Sequence, residues 1–143
     1  MGVMMHGDQG RDRMGRTAVH YAVADGDVAG LRMLLAGGAD PDAVDEAGWT
    51  PLHFAAQAQA PLAAEALLAA GASVDVADRH GNTALSKAVF NSRGEGATIR
   101  VLLEAGADPD RGNVHGVSPR GLADKIANYD VAVHMSHGEE TAR

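Results

Sequence analysis

Thr50-Pro51-Leu52-His53-Phe54-Ala55-Ala56 decides the reading of this 143-residue chain. A hydroxyl residue followed by proline is the chemistry of a helix start. The Thr50 oxygen can accept an orphan backbone N–H, and Pro51 stands where a missing N–H costs nothing. The residues that follow predict a short helix through Gln57 and Ala58, broken at Pro61. Moving outward, the pattern returns. Thr17-Ala18-Val19-His20-Tyr21-Ala22 and Thr83-Ala84-Leu85-Ser86-Lys87-Ala88 are weaker copies, and Ser118-Pro119-Arg120-Gly121-Leu122-Ala123 is a degenerate one. Two residues before each hydroxyl stands a glycine: Gly15, Gly48 and Gly81 are 33 apart, and Gly116 follows after 35. Leu34-Leu35, Leu67-Leu68 and Leu102-Leu103 lie 19, 19 and 21 residues beyond the first three glycines. Gly38-Ala39, Gly71-Ala72 and Gly106-Ala107 each begin four residues past the first leucine of a pair. The third unit therefore carries a two-residue insertion between its hydroxyl and its leucine pair.

The leucine pair belongs to a second helix. Val28 to Ala36 places Val28, Leu31, Leu34 and Leu35 close to one helical face. The glycine before each alanine fits a left-handed C-terminal cap. The ten residues Ala39 to Gly48 are rich in Asp, Pro and Gly and too short for another helix. The implied unit is helix, turn, helix and a projecting loop.

The period and the Thr50 to Ala55 motif together resemble the ankyrin repeat. The resemblance spans about residues 12–135 and implies an all-α solenoid of four helix-turn-helix units with projecting β-hairpin fingers. The units run about 12–44, 45–77, 78–112 and 113–135, with flexible tails at 1–11 and 136–143. Repeats 1 and 4 read as caps. The first carries Arg13, Arg16 and Arg32, and in the last Arg120 and Gly121 replace Leu and His and no leucine pair follows. By the same resemblance, His20 and His53 tie the backbone of one repeat to the next.

Composition agrees with thin, closely approaching elements. The chain has 28 Ala and 18 Gly but only one Trp, two Tyr and two Phe. Net charge is -7, and the densest basic cluster is Arg11, Arg13 and Arg16, so nucleic acid is not expected as a partner. The absence of Cys removes disulfides and thiol chemistry. No apolar run is long enough to cross a bilayer, the N-terminus lacks a signal-peptide core, and His6 stands where myristoylation needs Ser or Thr. A cytoplasmic protein is the expectation.

Catalytic patterns are missing. No Gly-Lys-Ser/Thr loop occurs, Arg93-Gly94-Glu95-Gly96 is a loop between helices, and no Gly-x-Ser-x-Gly elbow is present. His134 and His137 have a metal-like spacing but no third ligand nearby. The acids Asp40, Asp42, Asp45, Glu46, Asp75, Asp78, Asp108 and Asp110 recur at one place in each unit, which points to turns in which Asp bonds the backbone two residues on. No enzyme activity, cofactor or metal is expected.

A solenoid of this kind leaves an extended surface of finger tips and first-helix faces, so the resemblance implies recognition of another protein. Trp49 follows a repeat glycine on the finger side, where it serves either as a binding hot spot or as packing between fingers. Phe90 and Asn91 occupy the register of Gln57 and Ala58. In the family this is the exposed face of the first helix. His80 and His115 lie at corresponding finger tips, as binding residues or as solvated ones. The expected contact surface is Trp49, Gln57, Arg79, His80, Asn82, Phe90, Asn91 and His115, with Tyr21, Phe54 and Leu122 assigned to packing and Tyr129 to the cap. A monomer is expected. Two roles remain open: an adaptor, or an acidic inhibitor that masks a basic partner as a bacterial immunity or antitoxin protein does. The second rests on net charge, which steers association, and on a likeness to small bacterial members of the family.

Overall fold

The computed structural model describes residues 11–125; apart from Arg11 the expected tails lie outside them, as do His134, His137 and Tyr129. Seven helices occur among the described residues: α1 (Ala18–Ala24), α2 (Val28–Ala36), α3 (Pro51–Gln57), α4 (Pro61–Ala69), α5 (Ala84–Phe90), α6 (Ala97–Glu104) and α7 (Pro119–Lys125). They pair as α1 with α2, α3 with α4 and α5 with α6. The pairs stack in two layers, one of first helices (α1, α3, α5, α7) and one of second helices (α2, α4, α6). The fourth unit is described only as far as Lys125, through its first helix α7.

The local chemistry read from the sequence is what starts and stops these helices. The hydroxyls of Thr17, Thr50 and Thr83 accept from the backbone N–H three residues on, and Ser118 Oγ accepts from Gly121 N at 3.0 Å. At the other end, Ala39 N donates to Leu34 O and Gly38 N to Leu35 O, the paired bonds of a Schellman cap. The same pair recurs from Ala72 and Gly71 to Leu67 and Leu68, and from Ala107 and Gly106 to Leu102 and Leu103. This explains the fixed interval between each leucine pair and its Gly-Ala: the glycine is the left-handed residue that closes the cap, with φ +96° at Gly71. Pro61 does not break the first helix of its unit. It is the first residue of α4, a position a proline can open as readily as it can stop a preceding helix.

The insertion in the third unit lengthens the turn between α5 and α6 and leaves α5 at the same seven residues as α1 and α3. Phe90 therefore ends its helix just as Ala24 and Gln57 end theirs, and the insertion does not displace it.

Alanines make up much of the buried surface of the first helices. The first helices bury Ala22, Ala55, Ala56, Ala84 and Ala88 beside the larger Val19, Leu52, Leu85 and Val89, and the second helices bury Leu31, Leu67, Ile99 and Leu102 in the same core. First helices lie against one another more intimately than second helices do.

The fingers differ from the expected hairpins. No strand occurs among the described residues, because each finger is a tight turn closed by few bonds. In the second unit Asp45 N donates to Trp49 O at 3.0 Å, and Asp45 Oδ1 accepts from Ala47 N and Trp49 N at 2.9 Å. Asp12, Asp78 and Asn113 repeat the same side-chain bonds in their own fingers. Adjacent fingers are joined by backbone bonds: Glu46 N to Met14 O, Arg79 N to Ala47 O and Val114 N to His80 O, at 2.9, 3.1 and 3.0 Å. Arg11 is part of this set, not of a loose tail, since its guanidinium donates to Gly15 O and Val44 O.

The two repeat histidines act as expected from the resemblance. His20 Nδ1 accepts from Thr17 N and His53 Nδ1 from Thr50 N, each at 3.0 Å, while each Nε2 lies 2.9 Å from a carbonyl of the next unit, Trp49 O or Asn82 O. A backbone N–H can only donate and a carbonyl can only accept, so the geometry requires neutral rings protonated at Nε2. Burial holds both rings below the ordinary histidine range, against the opposing pull of their carbonyl partners. The unfolded chain thus binds more protons than the folded one as pH falls below about 6.5, and stability, complete above that value, declines through the lowered pKa values. The urea midpoint should be lower at pH 5 than at pH 7.5. The same midpoint at both pH values would show that the rings are not held neutral.

Candidate functional site

The outward side of the first-helix layer is built from three aligned rows. After each finger glycine come Arg16, Trp49, Asn82 and Val117. Four residues past each capping hydroxyl come Tyr21, Phe54, Lys87 and Leu122. At the seventh helical position come Ala24, Gln57, Phe90 and Lys125. Because the fingers lean on the next unit, a finger residue of one repeat meets the helix residue of its neighbour.

At the first junction Arg16 supplies the cation and Phe54 the ring, with the guanidinium carbon 5.9 Å from the ring centre and Arg16 Nε 3.9 Å from Asp45 Oδ2. At the second junction the roles reverse: Trp49 supplies the ring and Lys87 the cation, its Nζ 4.3 Å from the ring centre. The same ammonium lies 3.3 Å from Asp78 Oδ2, whose side chain has no exposed surface. Burial pushes the Asp78 carboxyl up, but the N–H groups of Asn82 and His80 together with Lys87 outweigh it and hold the group below its ordinary value. Phe54 meets Trp49 edge-on at 5.5 Å, and the His53 ring lies 5.8 Å from Trp49. The half-buried Trp49 thus links two repeats through a cation–π contact, an arrangement worth about 0.5–2 kcal/mol depending on how dry it is.

The other expected contact residues are more open. Gln57, Arg79, His80 and His115 are exposed, and Asn82 and Asn91 are half-buried. Asn82 Oδ1 accepts from Asn113 Nδ2 at 3.0 Å, and Asn91 Nδ2 donates to Lys87 O at 2.9 Å. Phe90 is 66% exposed, more open than any other Phe, Tyr or Trp among the described residues. The three side chains assigned to packing fare unequally. Phe54 and Leu122 rest on the core, whereas Tyr21 is exposed, with its hydroxyl donating to Asp12 Oδ2.

Two grooves run between the rows. One passes Arg16, Tyr21, Trp49, Phe54 and Gln57, with Asp45 in its wall. The other passes Asn82, Lys87, Phe90, Val117, Leu122 and Lys125. The sequence reading missed Arg16, Lys87, Leu122 and Lys125 as residues of this face. Their common signal is the repeat register: each occupies a row that elsewhere holds an aromatic or an expected contact residue. Among the described residues no group of three His, Cys, Asp or Glu is placed to hold a metal ion, and no helix is long and apolar enough to cross a membrane.

Stacked helix pairs joined by projecting turns define a helical repeat solenoid, a class that recognises partners over extended surfaces. Within that class, a family model described as ankyrin repeats (3 copies) matches residues 20–113, well over half of the chain, and this protein belongs to the ankyrin repeat family. Ankyrin repeats are generally non-catalytic modules for protein–protein interaction. No curated protein matches the sequence.

Proposed function

We propose that this chain is a non-catalytic recognition module of four repeat units that binds a partner protein on its finger tips and first-helix face. It acts as a cytoplasmic monomer, with Trp49, Gln57, Arg79, His80, Asn82, Phe90, Asn91 and His115 at the contact. The observation that carries this reading is Phe90. A phenyl ring two-thirds in water sits at the end of α5, where Ala24 and Gln57 stand in the sister helices, and the stack makes little use of it. An exposed ring of low conformational entropy beside half-buried polar groups is the composition of a binding hot spot.

Once a partner has been captured, Phe90→Ala should weaken its affinity at least tenfold, about 1.4 kcal/mol, and leave the melting temperature unchanged. Equal affinity for the variant and the parent would refute the assignment. The second reading, an acidic inhibitor such as an immunity or antitoxin protein masking a basic toxin, is favoured by the net charge of -7. It predicts an association rate that falls steeply with added salt.

A further inference from the structure

Ser86 stands where the first two units carry His20 and His53. Those two imidazoles do the same thing in the same place. Each accepts from the N–H of its capping threonine at 3.0 Å and lies 2.9 Å from a carbonyl of the next finger. A neutral ring suits this place because its two nitrogens can accept at one end and donate at the other.

The third unit keeps both backbone partners and lacks the ring. The fourth finger is closed and seated on the third as its sisters are. Val117 O accepts from Asn113 N at 2.9 Å, as Trp49 O does from Asp45 N at 3.0 Å, and Val114 N donates to His80 O as Arg79 N does to Ala47 O. Val117 O therefore holds the place of Trp49 O and Asn82 O, with no ring nitrogen beside it. At the other end the N–H of Thr83, a residue 1% exposed, has no acceptor among the described residues. The Ser86 hydroxyl has no partner there either, although Ser86 is only 6% exposed and lines the groove between α5 and α7. Serine is too short to span the two backbone groups. Leu122, another lining residue, stands in the row where Phe54 packs edge-on against His20 at 5.0 Å, so this unit keeps an apolar flank.

A buried donor left without a partner carries its full desolvation penalty, and a ligand that satisfies it gains what the free protein lacks. One water oxygen cannot stand where two ring nitrogens stand. The groove has a volume of about 390 Å³, room for a whole side chain.

We infer that the third unit binds a neutral imidazole at Ser86, supplied by a histidine of the partner protein, with one ring nitrogen accepting from Thr83 N and the other donating to Val117 O. This rests on the proposed role as a protein-recognition module and names one side chain of the partner. Phe90 borders the same groove.

The probes are imidazole, N-methylimidazole and random 16-residue peptides displayed on phage, all used with the full chain at pH 8, where the ring is neutral. Imidazole should shift the amide resonances of Thr83, Ser86 and Ser118, whose N–H shares the Val117 peptide group, and the shifts should saturate. N-methylimidazole has no N–H to donate and should bind at least tenfold more weakly. Ser86→His supplies the ring from within, so it should raise the urea midpoint and abolish the response to imidazole. Peptides selected on the parent should be enriched in histidine and bind Ser86→His at least tenfold more weakly. No saturable shift at these residues, or a Ser86→His midpoint that is not above the parent's, overturns the inference. Imidazole binding without histidine-dependent peptides overturns the assignment to a partner's histidine. These failures leave the wider recognition role standing, and the partner-affinity experiment on Phe90→Ala judges it separately.

Discussion

Leu67→Asp is expected to destabilise the protein by about 4–6 kcal/mol and to split its unfolding into two transitions. Leu67 has no exposed surface, and it lies on α4, which packs against both α2 and α6. Removing the isobutyl group alone costs about 2–5 kcal/mol in a buried site. The carboxylate adds the penalty of an unpaired buried charge or of the proton uptake that neutralises it. In a stack where each unit touches only its neighbours, cooperativity passes through the interfaces, and damage to the central unit uncouples the two sides. Urea titration followed both by circular dichroism and by the fluorescence of Trp49, the single tryptophan, checks this directly. One sharp transition at the parent midpoint would contradict the packing described here.

Gly81→Ala is expected to cost about 2–4 kcal/mol, and the comparison with Gly38→Ala isolates the reason. Both glycines have positive φ, +80° at Gly81 and +96° at Gly38, so both substitutions incur the left-handed penalty of about 1–2 kcal/mol. They differ in surroundings. A Cβ at Gly81 would stand 2.9 Å from Val114 N and 3.0 Å from Asn113 Cα, backbone atoms of the next finger that cannot swing aside, whereas one at Gly38 meets nothing within 4 Å. Gly81→Ala must therefore push two fingers apart and strain the Val114 N to His80 O bond. Equal losses in the two variants, read from their urea midpoints, would show that the fingers are not in close contact.

The elements that could be read from sequence are those encoded by neighbours along the chain. Thr50 and Pro51 start a helix by chemistry confined to four residues, and Leu67 to Ala72 stops one in the same way. The ends of α2 could be placed for that reason. Pro61 was misread because proline is compatible with both the end of one helix and the start of the next, and only the path of the turn decides between them. The contact of Lys87 with Trp49 could not be read at all. It depends on a finger leaning onto the following unit, 38 residues away, and on a lysine standing where the other units have Tyr21, Phe54 and Leu122. Trp49, which looked from sequence like either a hot spot or a packing residue, stands in a position that allows both, half-buried under Lys87 while bordering a groove. Phe90 was legible as an anomaly because its register was fixed by the repeats, although the insertion left the position of its helix open until the turn was seen to absorb it.

Amide hydrogen exchange of the complex with a captured partner tests the central claim most directly. Added protection is expected at the finger tips, residues 79–82 and 113–117, and at the ends of α3 and α5 around Gln57 and Phe90, with the second helices α2, α4 and α6 unchanged. Protection confined to those second helices, or to the acidic loops around Asp40, Asp75 and Asp108, would contradict it.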